Sequence, residues 1–107
     1  MRDGMFVRAL AAHEAGDASG AMGAYRAAIK TEPTHAAAAY SNLGMLLCAE
    51  ARLAECIGAS AAAAALTPRN AGVLYNLANA QSQSSREAEA EATYRRVIDV
   101  DPAHAPA

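Results

Sequence analysis

The side chains with the most chemical reach are two cysteines, three histidines and a pair of asparagines. Cys48 and Cys56 stand eight residues apart, which is no metal-ligand spacing. They flank a helix turn and admit two readings. One is a redox pair. The other is two thiols, with Cys56 packed as a small apolar residue. Nothing else in the chain suggests an oxidising compartment, so reduced thiols are expected. His13, His35 and His104 have no i, i+4 partner, and no metal site is expected. His35 and His104 follow prolines and should be solvated. No Ser-His-Asp order, phosphate loop or paired carboxylates occur, so neither catalysis nor a cofactor is expected. Asn42 and Asn76 remain. Each amide offers donor and acceptor, and so can grip a peptide backbone without reading its side chains. The same amides could instead bond to a neighbouring helix backbone.

The two asparagines belong to a repeating frame. Asn42-Leu43-Gly44 recurs as Asn76-Leu77-Ala78, 34 residues later. Pro33, Pro68 and Pro102 keep the same beat, 35 and 34 residues apart. A proline cannot continue a helix, and the residue before it leaves helical space. Glu32-Pro33, Thr67-Pro68 and Asp101-Pro102 therefore read as turns between units. Gly16-Asp17, Glu50-Ala51-Arg52 and Ser84-Ser85 read as the turns within them. Six helices follow, at about 3–15, 18–31, 36–49, 53–66, 71–83 and 86–100. Apolar residues recur at helical spacing: Tyr40/Leu43/Leu47, Leu74/Leu77, Tyr25/Ala28/Ile29, Cys56/Ile57/Ser60/Ala63 and Tyr94/Val97/Ile98. Thr34, Asn70 and Asp17 are expected N-caps, and Ser84 with Glu87 an expected capping box.

Composition narrows the partners. Of 107 residues, 31 are alanine and 5% are aromatic, so close helix packing with modest burial per residue is expected. A formal net charge of −2 without a basic block argues against nucleic acid. No apolar run reaches the roughly 20 residues of a membrane span. Asp3 stands where a signal peptide would turn apolar, and the cytoplasm is the expected compartment.

A 34-residue period of paired helices resembles the tetratricopeptide repeat family. Three units are expected, about 2–35, 37–70 and 71–104, within one domain over 1–107. The matching positions are Tyr40 and Leu74; Leu43-Gly44 and Leu77-Ala78; Ala21, Cys56 and Ala90; Tyr25 and Tyr94; and Ala28, Ala63 and Val97. Ser60 departs from the aromatic place. Arg8 stands where Leu43 and Leu77 lie, so the first unit fits worst. The resemblance implies an all-α, right-handed superhelix of three helix pairs.

It also implies a concave groove lined by the first helix of each pair, where a protein partner's extended peptide or helix would bind. Its expected residues are Asn42, Asn76, Ser41, Met45, Tyr75, Asn79 and Gln83. Ala38, Cys48, Ala49, Gly72 and Ser82 share that face. In the first unit it would hold Asp3, Phe6, Val7, Leu10, His13 and Glu14. An asparagine ladder of this kind lines the repeats of O-linked N-acetylglucosamine transferases, though Val7 fills the third rung here. Co-chaperone repeat domains clamp a terminal carboxylate with cations. Phe6, Gly72 and Asn76 hold those places, so such a ligand gains little.

Two further expectations stand beside the scaffold. Phe6, Ala9, His13 and Gly16-Asp17 resemble the first repeat of bacterial chains that continue into glycosyltransferase or methyltransferase domains. The alternative is thus an N-terminal accessory region of such an enzyme. The last helix, with Tyr94 and Ile98, should face a further unit or another copy of the chain, making a homodimer.

Overall fold

The structure is a computed structural model, described for residues 4–104. Six α-helices follow one another: α1 (Met5–Glu14), α2 (Ala18–Thr31), α3 (Ala36–Ala49), α4 (Leu53–Leu66), α5 (Ala71–Gln83) and α6 (Glu87–Val100). No strand occurs among the described residues. Helices pack as antiparallel pairs α1·α2, α3·α4 and α5·α6, and each pair stacks on the next through α2·α3 and α4·α5. The result is the expected all-α superhelical stack of three pairs. Asp3 and the first residues of the chain lie outside the described part.

The turns repeat as regularly as the helices. Gly16 (φ 81°), Ala51 (φ 61°) and Ser85 (φ 60°) turn the chain between the helices of a pair through the left-handed region. They sit 35 and 34 residues apart. Only the first carries the residue suited to that backbone. After the first and third pairs, Pro33–His35 and Pro102–His104 form 3-10 turns, each with proline first.

Two caps behave as expected. Asp17 accepts from the Gly20 amide at 2.9 Å, and Asn70 accepts from Val73 at 3.1 Å. Two do not. Thr34 is taken up in the 3-10 turn, so α3 starts after His35 without a side-chain cap. Ser84 ends α5 instead of starting α6, which begins after Arg86. The left-handed Ser85 lies between Ser84 and the first turn of α6, which breaks the capping-box register. The Ser84 hydroxyl is left buried without a hydrogen-bond partner.

One cap is long-range. The Glu32 carboxylate accepts from the Met5 amide at 2.5 Å and from Phe6 at 3.3 Å. An acid in the turn after the first pair thus satisfies the open N–H groups of α1.

The core runs along the stack. Ala9, Ala21, Met22, Tyr25, Ala28, Ala39, Leu43 and Leu47 are buried in its first part, and Leu74, Leu77 and Val97 in its last. Ile57 packs against both parts. Arg8, at the place of Leu43 and Leu77, is exposed, as the end of a stack allows.

Candidate functional site

Small residues decide how close the helices of a pair come. Ala9 and Ala78 are fully buried at the places equivalent to Gly44. In the middle pair, a Cβ on Gly44 would meet Ser60 Oγ at 2.8 Å and the Cys56 carbonyl at 3.4 Å. Gly44 and Ser60 therefore form one rung of the α3–α4 hairpin. The rung one turn nearer the loop is Cys48 with Cys56, and the two cysteines are joined as a disulfide, with Cα atoms 5.2 Å apart.

This corrects the expectation of reduced thiols. Chain pairing is antiparallel, so the residue four after Gly44 meets the residue four before Ser60. Eight residues of sequence become one cross-helix contact. The disulfide also removes the thiol state as an argument for a reducing compartment.

The other hairpins are tied differently. Where Ser60 stands, they carry Tyr25 and Tyr94. The Tyr25 hydroxyl meets His13 Nδ1 at 2.9 Å, and burial pushes its pKa up, while a hydrogen bond with Asn42 draws it partly back. The Tyr94 hydroxyl donates to Asn79 Oδ1. Burial is also the main cause raising the Tyr94 pKa, followed by Tyr75 and Glu87 nearby. Thr93 donates to Gln81 Oε1 at 2.7 Å.

The first helices leave open clefts between them. The cleft between α3 and α5 has a volume of about 290 Å³ and is walled by Met45, Cys48, Ala49, Asn76, Asn79 and Gln83. Gly44, Cys56 and Ser60 lie at its lining too. A wider cleft between α1 and α3, about 530 Å³, is lined by Leu10, His13, Glu14 and Asn42. Met45 and Leu10 are exposed apolar residues here.

Four of the expected groove residues, Met45, Asn76, Asn79 and Gln83, thus share one cleft, and Asn42 lines the next. Ser41 is buried, and Asn76 Nδ2 donates to its Oγ at 3.3 Å. It orients that asparagine and, with Asn42, lines a further cleft of about 340 Å³ beside Thr67, Asn70 and Val73. Tyr75 packs edge-on against Tyr94, with ring centroids 5.8 Å apart. It does not line the cleft. Phe6 is also drawn away: it stacks on His35 at 4.7 Å and tilts against Tyr25. His35 is exposed but stacked, not simply solvated. The side chain of His104 lies outside the described part.

Sequence reasoning missed the disulfide and the His13–Tyr25 contact. The disulfide's signal was present as paired distances from the loop, 48 and 56 about the turn at Ala51-Arg52. His13 and Tyr25 lie unequally far from the turn at Gly16-Asp17 and meet through the reach of the tyrosine side chain. Among the described residues, no group of three or more His, Cys, Asp or Glu is placed to hold a metal ion. No described helix is long and apolar enough to cross a membrane. Tyr94 is half-buried by its own pair, while Ile98 is 40% exposed at the end of the stack.

Comparisons agree with this geometry. No curated protein matches the chain by sequence. Among solved structures, a tetratricopeptide repeat protein from Parabacteroides merdae superimposes with a TM-score of 0.85 at 22% identity, over 94% of this chain and 40% of that one. The chain thus spans well under half of that protein. The first tetratricopeptide domain of Spaghetti (RPAP3), bound to the HSP90 peptide SRMEEVD, gives 0.82 at 16% identity, over 92% of this chain and 79% of that one. MamA protein gives 0.82 at 17% identity, over 92% and 53%. These likenesses establish the fold. The family model for the tetratricopeptide repeat matches residues 71–104, the α5–α6 unit. That match covers about a third of the chain, and the two helix pairs before it repeat the same form.

Proposed function

We propose that the chain is a protein-interaction module that holds an extended peptide segment of a partner along the clefts between α1, α3 and α5. The observation that carries this reading is the line of amides there. Asn42, Asn76, Asn79 and Gln83 all line clefts on the same run of first helices. Internal bonds orient them without exhausting them. Asn76 spends one N–H on Ser41, and keeps its carbonyl and second N–H for a ligand. A similar fold, the Spaghetti domain, carries a bound peptide.

The chemistry differs from that neighbour's acidic ligand. The cleft walls carry amides, Met45, Leu10, His13 and one acid, Glu14, with no lysine or arginine among the lining residues. Such walls favour main-chain hydrogen bonding and apolar side chains over a terminal carboxylate.

Replacing Asn42 and Asn76 together by Ala tests the reading. With a partner identified by affinity capture, calorimetry should show binding weakened by about 1–3 kcal/mol. Circular dichroism should show helix content unchanged. Equal affinity in the double variant would move the site to another face.

A further inference from the structure

We propose that the Cys48–Cys56 disulfide is a thiol-exchange site set in the cleft wall, at which a small thiol or dithiol attacks Cys48 and unfastens the middle helix hairpin. Three features carry this.

The first is access. Both cysteines line the open cleft between α3 and α5. The second is asymmetry. Cys48 is only partly buried, whereas Cys56 is 1% exposed beneath α3. An incoming sulfur therefore reaches Cys48 Sγ, and Cys56 is the leaving group. The third is position. Side-chain hydrogen bonds cross the other two hairpins, His13 with Tyr25 and Gln81 with Thr93. Among the described residues, no side-chain hydrogen bond joins α3 to α4. The disulfide is the tie that replaces them.

The exchange balances as follows. A thiolate attacks Cys48 Sγ, the Sγ–Sγ bond breaks, and its electron pair leaves on Cys56, which takes a proton from solvent. Cys48 then carries a mixed disulfide. A second thiol, or the other arm of a dithiol, attacks the attached sulfur and releases the Cys48 thiol. The chain gains two electrons and two protons, and the thiol is oxidised to its disulfide. The opened cleft then displays a thiol beside Met45 and Asn76. The hairpin is left with a small-residue rung, Gly44 on Ser60, near its loop end. This exchange does not depend on what the cleft binds.

The test uses the whole chain without denaturant. Maleimide labelling and intact mass should show no free thiol in the isolated protein and two after dithiothreitol. Exposure of the reduced wild-type chain to glutathione disulfide, followed by rapid acid quenching and peptide mapping, should place glutathione on Cys48. Cys56→Ser should take up one glutathione at least about ten-fold faster than Cys48→Ser, as expected of exposed against buried sulfur. Wild-type mapping keeps the answer if either variant fails to fold. The inference is overturned by free thiols in the isolated chain after air oxidation. A disulfide that dithiothreitol opens only on heating past the unfolding transition would overturn it too, as would glutathione found equally on both cysteines.

Discussion

The tightest point of the fold, Gly44 against Ser60, gives a prediction with a sign that depends on background. Gly44→Ala adds a methyl group inside α3. Removing glycine from a helix interior contributes about 1 kcal/mol of stability. The new Cβ, however, would lie 2.8 Å from Ser60 Oγ, inside contact distance, and Ser60 is buried. Overpacking of this kind costs about 1–3 kcal/mol. The net change should be a loss of about 0–2 kcal/mol. In a Ser60→Ala background the nearest remaining atoms are the Cys56 carbonyl and the Ser60 amide nitrogen, both at 3.4 Å, an ordinary contact. There the helix gain should appear alone, as about 1 kcal/mol of stabilisation relative to Ser60→Ala. Urea unfolding of the four oxidised proteins measures the cycle. The coupling should equal the clash, about 1–3 kcal/mol. If Gly44→Ala has the same effect in both backgrounds, within about 0.5 kcal/mol, the Ser60 contact does not set the helix approach.

Three other outcomes are expected. Ala51→Gly and Ser85→Gly should each stabilise by about 0.5–1 kcal/mol, because both residues sit at positive φ; an unchanged thermal midpoint would contradict this. Glu32→Ala should cost about 1–2 kcal/mol and speed amide exchange at Met5 and Phe6, the groups its carboxylate holds; exchange unchanged at those two amides would show that the cap is not used. Tyr25 and Tyr94 have folded pKa values raised above the ordinary phenol value. Their contribution is present below about pH 10 and is lost as pH rises through the folded values, since the unfolded chain then binds fewer protons. Absorbance titration should show delayed ionisation of these two. Tyr25→Phe should flatten the alkaline fall in stability, and an unaltered slope would count against it.

The sequence by itself determined the local structure and its period. Prolines at 33, 68 and 102 must stop helices, and Asn70 and Asp17 supply donors' partners within one turn. Alanine, glycine and cysteine at matched places must mark close helix contacts, because larger side chains would not fit there. Those facts are written in neighbours along the chain. Tertiary structure decided what crosses between helices. Cys48 reaches Cys56 because the turn through the left-handed Ala51 folds α4 back on α3, and Ser60 in place of an aromatic residue leaves room beside Gly44. Glu32 caps a helix 26 residues earlier because the antiparallel packing of α2 on α1 brings its turn to the start of α1. Asn76 is turned toward the buried Ser41 of α3, and Tyr75 packs on Tyr94 instead of lining the α3–α5 cleft, because each finds a partner on a neighbouring helix. Helical spacing fixes which face a residue occupies. Which partner that face offers depends on the register between helices, and only packing sets that.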